Sequence, residues 1–421
     1  MKGNGHRQRL AWVILAGSFG VWLGIMLAIP LLGSRLIQTA SRPLPLFIQV
    51  NQGTVRLEGN QQTAAIFTGD PPIEMEAPAN VLTSSGDAAT LVVYADNGEQ
   101  VLGRLQVFGD TLLAVEAAFA PRFQLSTAEQ EMNLKLDAGR MRVKLPEGEG
   151  RHFSITVATP QGLVYLPQPG NYTVEVNTNE TQLVALEGEA VLTANGDDLT
   201  IRTDERGMIP INAAPTGPLS TERNLVQNGD FSDGLNDWDR LSWVVEIADQ
   251  PEGEIQVVTE FGEPALRFQR VGNGHADAGV RQVINQDVRD FDALRLEISL
   301  RILEQSIAVC GSVGSECPLA LRVEYEDVNG NDQVWQQGFF ANGVPGTNGT
   351  PDVCITCAPP RPGHVQITSG QIAFYRGDLM TLLPQHGAPL PGRIKNISLL
   401  AAGHTFALDV LDVSLIVEES A

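Results

Sequence analysis

Cysteine is absent from the first 300 residues of this 421-residue chain. The four present, Cys310, Cys317, Cys354 and Cys357, all lie in the last third. Histidine is nearly as scarce: His6, His152, His275, His364, His386 and His404 are scattered, none at metal-ligand spacing from another. HExxH, GxSxG, the P-loop lysine motif and GxGxxG are all missing, so the motif-borne hydrolytic and nucleotide chemistries find no footing and the chain reads as non-enzymatic. Positive charge is short as well. There are 28 Lys and Arg against 50 Asp and Glu, a net charge of -22. Such a surface repels phosphate backbones, which argues against a nucleic-acid partner; it suits cation binding, or plain solubility outside a cell.

The cysteine cluster has two readings. Four cysteines close together fit disulfides in an oxidising compartment. Cys354-Ile-Thr-Cys357 is also half of a zinc knuckle, although its partner pair, Cys310 and Cys317, is more widely spaced than a structural zinc site favours. The pairing of four cysteines does not follow from their order in the chain.

Residues 10–32 carry no charged side chain, and Lys2, Arg7 and Arg9 precede them. About 20 apolar residues suffice to cross a bilayer core as a helix. By the positive-inside rule the tail 1–9 stays in the cytoplasm and the rest is exported. A cleaved signal peptide is the rival reading, but the run exceeds the usual apolar region of about 7–15 residues. Either way the bulk of the chain is extracytoplasmic. Arg42-Pro-Leu-Pro45 then reads as a stiff stalk.

Beyond it the pattern is all-β. From 46 to 207, short alternating runs such as Ala89-Thr-Leu-Val-Val-Tyr-Ala95 are broken by Gly, Asn and Asp, as in an antiparallel β domain. Asp96-Asn-Gly98 and Asn195-Gly-Asp197 are hairpin signals, and residues 126–136 could form a short helix. A Pro- and Ser-containing linker, 208–223, leads to a second β domain, 224–418. There Leu321-Arg-Val-Glu-Tyr-Glu326 alternates, Asn329-Gly330 marks a hairpin turn, and the Gly- and Pro-rich stretch 342–363 is a long surface loop.

Two family resemblances follow. Asn51-Gln-Gly-Thr-Val55, the block from Leu82 to Gly98, Ile155-Thr-Val-Ala-Thr-Pro160 with Gly170-Asn-Tyr-Thr-Val-Glu-Val176, and Leu186-Glu-Gly-Glu-Ala-Val-Leu192 resemble the exported FecR-type domain of bacterial envelope proteins. Such proteins carry a cytoplasmic segment that controls a sigma factor. Nine residues ahead of the helix leave no room for one, so a signal-input role would need a separate cytoplasmic partner. Asn224-Leu-Val-Gln-Asn-Gly-Asp-Phe-Ser-Asp-Gly-Leu-Asn-Asp-Trp238 and the closing Leu408-Asp-Val-Leu-Asp-Val-Ser-Leu415 resemble the galactose-binding-like jelly roll of carbohydrate-binding modules. That resemblance implies a structural calcium bridging the opening loop and the last strand, with Asp230 and Asp412 as its ligands, in keeping with calcium's preference for hard oxygen donors.

Sugar binding asks for aromatic faces flanked by polar groups. Trp335 among Gln333 and Gln337, together with Trp243 and Tyr375, is the candidate ligand set. The competing reading is that these aromatics belong to the core, as Trp238 does. The function expected is a membrane-anchored recognition protein binding glycan or envelope polymer. The alternatives are an envelope scaffold that binds other proteins and a signal-input subunit.

Overall fold

The structure is a computed structural model describing residues 4–59, 63–95, 98, 100–148, 150–167, 169–312, 316–359 and 361–419, with the side chains of 4–8, 30–31 and 242–244 outside the description. The uncharged run lies within one helix, Asn4–Thr39. Thirty-six residues at about 1.5 Å each exceed the roughly 30 Å of a bilayer core. Its apolar side chains, Trp12, Ile14, Leu27 and Leu36 among them, are exposed. The helix is long and apolar enough to span a membrane or to be a signal sequence.

The chain then divides into two units, Met1–Leu219 and Ser220–Ala421. In the first, residues read as a stalk are already sheet: strand Ser41–Pro43 pairs antiparallel with Phe119–Pro121, and Leu44 is buried. An edge position tolerates the missing Pro43 N–H. Residues 126–136 are not helical. Gln130–Leu145 is one 16-residue strand in which Met132, Leu134 and Leu136 are buried while Lys135 is exposed, a period of two that overrides local helix propensity. Asn195 and Gly196 link Ala194 to its partner Asp197 with φ of 55° and 89°, the left-handed pair that a two-residue hairpin requires. The other hairpin signal, Asp96-Asn97, lies outside the described residues. The stretch read as a linker includes all of strand Thr216–Ser220 and the end of Glu205–Pro210.

Strand Gln130–Leu145 ties the unit's two sheets together. Its first half pairs with Leu112–Pro121 and, in parallel, with Phe153–Ala158. Its second half pairs with Val101–Val107 and Gly170–Val176. The change of sheet falls at Gly139, with φ of 91°. There the chain passes so close to its neighbour that a Cβ would sit 2.4 Å from Thr111 Oγ1 and 2.6 Å from the Asp110 carbonyl. Thr111 Oγ1 accepts the Arg140 N–H at 3.0 Å and donates to the Arg140 carbonyl at 3.2 Å.

The second unit is a sandwich of two six-stranded sheets. One runs Glu254–Glu260, Glu263–Arg270, Phe406–Glu419, Phe291–Gln305, Ala373–Asp378, with Arg223–Asn224 beside Phe406–Glu419. The other runs Asp239–Val245, Ala276–Asp287, Pro391–Gly403, Leu319–Asp327, Asp332–Phe340, Val365–Gln366. The Asn329-Gly330 turn forms as expected: Asp327 Oδ1 accepts the Asn329 and Asn331 N–H groups at 2.8 and 2.9 Å. Trp238 is core, its Nε1 donating to the Asn228 carbonyl at 3.1 Å.

The cysteines form two local disulfides, Cys310–Cys317 and Cys354–Cys357. A His364 ring nitrogen lies within 4.8 Å of each pair's sulfurs. With the sulfurs bonded to one another, no thiolate remains to ligate a metal. Both bridges close short rings, worth about 2 kcal/mol each on the chain-entropy account.

Gly139→Ala is expected to destabilise the first unit by about 2–4 kcal/mol, from backbone strain and the Thr111 clash together. Chemical denaturation measures the loss, and amide exchange should quicken along Gln130–Leu145; an unchanged unfolding midpoint would refute this account of the sheet change.

Candidate functional site

The aromatic set expected from the sequence does not assemble on a surface. Trp335 is 1% exposed. It stands opposite Val323, and both belong to the core between the sheets. Period-two alternation therefore turns Gln333 and Gln337 to the same inward side. Gln337 is buried and donates to the Gly363 carbonyl at 3.0 Å. Tyr375 packs edge-on against Phe339 at 5.4 Å, and its hydroxyl reaches Gln337 Oε1 at 3.5 Å. Burial pushes the Tyr375 phenol up to about 12. The structure thus brings Tyr375 and Gln337 together, but between the sheets, where Trp335 offers no free ring face. Trp243 pairs in register with Asp277; its side chain lies outside the described residues.

The outward face of the first sheet has the features the sugar argument required. Along Phe291–Gln305, Leu296, Ile298, Leu300 and Ile302 are buried in the core, so Arg295, Glu297, Ser299 and Arg301 face out. On the adjacent Phe406–Glu419 strand, Ser299 pairs with Asp412 and Leu300 with Val410. Leu411 is the extra residue of a bulge, and this insertion keeps Val410 and Val413 inward while turning both Asp409 and Asp412 outward. On the edge strand, Phe374 pairs with Ser299 and Arg376 with Glu297. Phe374 is 83% exposed, a large apolar ring on a polar surface. Arg376 Nη2 and Glu297 Oε1 pair at 2.5 Å beside it.

A second exposed ring, Phe261 at 69%, lies under the Arg301 guanidinium, 4.9 Å from its centroid. Arg301 is held by Asp409, which is fully buried and also accepts Arg267 Nε at 2.7 Å and Nη2 at 3.0 Å. Glu260 bonds both guanidiniums, and Arg301 first, then Arg267, hold its carboxyl below the usual range. This lattice of two guanidiniums and two carboxylates is charge-balanced, a cross-linked floor rather than an open ion site.

Asp230 and Asp412 are different. The Val413 N–H donates to the Gly229 carbonyl at 3.0 Å, fastening the opening loop to the closing strand. Asp230 Oδ1 accepts the Ser232 N–H and hydroxyl at 3.2 and 2.9 Å, and these bonds lower its pKa. Asp412 goes the other way: burial raises its pKa most, and the Asp230 and Glu297 charges raise it further. Among the described residues it has no hydrogen bond or ion pair. Carboxylate oxygens are the hard donors that calcium takes, and Asp412 lies near enough to Asp230 and Glu297 for their charges to act on it.

The second sheet's outward face is polar but without a described exposed ring. Asp239, Arg281, Ser398, Arg322 and Gln336 stand in one row. Arg322 is spent on Gln336 Oε1 at 3.0 and 2.9 Å. Sequence reasoning had chosen Tyr375 and passed over Phe374. Alternation requires that only one of two adjacent residues face the core, but the sequence does not say which.

No family model matches the chain, and no curated protein matches it. Among solved structures, a putative anti-sigma factor from Parabacteroides distasonis ATCC 8503 aligns over 34% of this chain and 61% of its own, under two thirds of its length, at 11% identity and a TM-score of 0.25. The carbohydrate-binding module TmCBM61, in complex with beta-1,4-galactotriose, aligns over 46% of this chain and 97% of its own, at 14% identity and a TM-score of 0.25. A family 11 carbohydrate-binding module from Clostridium thermocellum, in complex with a beta-1,3-1,4-mixed-linked tetrasaccharide, aligns over 48% of this chain and 98% of its own, at 14% identity and a TM-score of 0.25. Scores this low establish neither family nor activity.

Trp335→Ala is expected to cost about 3–5 kcal/mol of stability, as large buried aromatics do, instead of removing a surface contact. Thermal denaturation of the second unit decides; an unshifted midpoint would return Trp335 to the surface.

Proposed function

We propose that the protein is a membrane-anchored, non-catalytic recognition protein whose second unit binds carbohydrate on the outward face of its first sheet. The observation that carries this reading is Phe374, a ring 83% exposed in register with Ser299 and next to the Arg376–Glu297 pair. A pyranose presents C–H groups on its faces and hydroxyls at its edges. An exposed ring with hydrogen-bonding side chains at its margin meets both demands, while the salt-bridged floor of Arg267, Arg301 and Asp409 fixes the strands beneath it. The N-terminal helix keeps the chain at the membrane in this reading.

Asp230 and Asp412 would hold a calcium ion supplying the positive charge their cluster lacks. Bound there, it would pin the opening loop to the closing strand beside Ser299, and so shape the surface next to Phe374. It has no chemical step to perform.

Binding to an array of neutral and acidic polysaccharides, with calcium or with chelator, tests the reading. Phe374→Ala should weaken any interaction found at least tenfold, about 1.4 kcal/mol, with the fold intact by circular dichroism. Equal affinity in the variant would remove this face from consideration.

The acid pair gives a separate expectation. A raised folded-state pKa means that the stability linked to Asp412 is fully present below the unfolded carboxylate value of about 3.9 and is lost as pH rises through the folded value. At neutral pH without metal, Asp412→Asn should therefore raise the melting temperature, and it should abolish any rise that calcium gives the parent protein. A variant that melts lower than the parent in chelator contradicts the like-charge account, and one that keeps the calcium-induced rise contradicts the ligand assignment.

A further inference from the structure

At the base of the first unit, where the helix ends, two segments without acidic residues meet. None of the 50 acidic residues lies before Glu58, and none lies between Glu116 and Glu129. These two acid-free stretches are fastened together. The Arg122 N–H donates to the Ala40 carbonyl at 2.9 Å. Gln38 Oε1, in the last turn of the helix, accepts Thr127 N–H at 3.0 Å, Thr127 Oγ1 at 3.1 Å and Ser126 Oγ at 3.2 Å. Arg151 closes the loop from the other side, its guanidinium donating to the carbonyls of Phe123, Gln124, Ser126 and Ala128.

A loop held so firmly would be expected to tuck its apolar residues away. Instead Leu125 is 80% exposed, second only to Phe374 among the exposed large apolar side chains of the described residues, and Phe119 and Phe123 are exposed too. Arg35 and Arg122 are exposed alongside and have no ion-pair partner among the described residues.

We propose that this loop is a lipid-surface seat: Leu125 and Phe123 enter the headgroup layer of the outer leaflet while Arg35 and Arg122 meet lipid phosphates. The inference rests on the reading that the helix stays in a bilayer. Gln38 lies six residues past the end of the uncharged run, about 9 Å further along the helix axis. The headgroup layer adds roughly 5–8 Å to each side of the hydrocarbon core. Leu125 is two positions from Thr127, a reach of up to about 7 Å, enough to return from Gln38 to the depth of that layer. Apolar side chains with flanking basic groups are what interfacial binding uses. On a chain of net charge -22, the loop residues 117–128 themselves carry no acidic side chain that an anionic leaflet would repel. The effect is to fix the orientation of the first unit on the membrane, which a single helix ending in a free tether would not do.

The test places an environment-sensitive fluorophore on the full-length chain, at Leu125→Cys in one preparation and at Leu27→Cys, within the helix, in another. Each is reconstituted into phosphatidylcholine vesicles containing a minority of phosphatidylglycerol, with spin-labelled lipids as quenchers. The expected result is that Leu125→Cys loses at least half its emission to quenchers near the headgroups, and Leu27→Cys loses its emission to quenchers in the acyl chains. If the helix label is quenched and the loop label is not, the protein is anchored and the seat is wrong. If neither is quenched, the anchoring itself fails and the seat with it. Arg122→Glu should weaken headgroup quenching at Leu125→Cys in these vesicles; unaltered quenching would overturn the phosphate contact.

Discussion

The close approach of Gly229 to the Val413 carbonyl organises the second unit's candidate site. A Cβ at residue 229 would lie 2.0 Å from that carbonyl oxygen, so only glycine permits the hydrogen bond that fastens the opening loop to the closing strand. Asp230 follows at once, and the bulge at Leu411 turns Asp412 to the same side. Without the first feature the loop would stand off the strand. Without the second, Asp412 would point into the core. The paired carboxylates are thus products of backbone geometry at two neighbouring points.

Phe374 depends on a different constraint. Its strand is the edge of the first sheet, and Tyr375 claims the inward position by packing on Phe339 and bonding Gln337. Once Tyr375 is inward, Phe374 has to face water. Its exposure follows from the packing of its neighbour. The same alternation disposes of Trp335, whose partner Val323 lies in the core.

Much of the architecture was legible in the sequence. Period-two runs and Asn-Gly turns marked the sheets, the residues around Trp238 marked the opening of the sandwich, and an uncharged run marked the helix. What misled was local and has identifiable causes. Residues 126–136 have the composition of a helix, but from Gln130 on their pairing with Leu112–Pro121 and Phe153–Ala158 decides otherwise. Pro43 suggested a stalk because proline weakens most strands, but not an edge. Trp335 looked like a platform because Gln333 and Gln337 flank it, but residues two apart share a face, and here that face is the core. Asp230 and Asp412 could be named in advance from the resemblance; their mutual repulsion could not, because it exists only after the chain brings together residues 182 positions apart.

The two disulfides close rings spanning sequence separations of seven and three residues. Cys310 and Cys317 form with Phe340 a small cluster apart from the main sandwich core. Neither bridge joins one sheet to the other. The sandwich therefore does not owe its closure to oxidation: a reducing cytosol, or a bacterial expression host without an export step, should still yield the β scaffold, with only the loops around the bridged cysteines left looser.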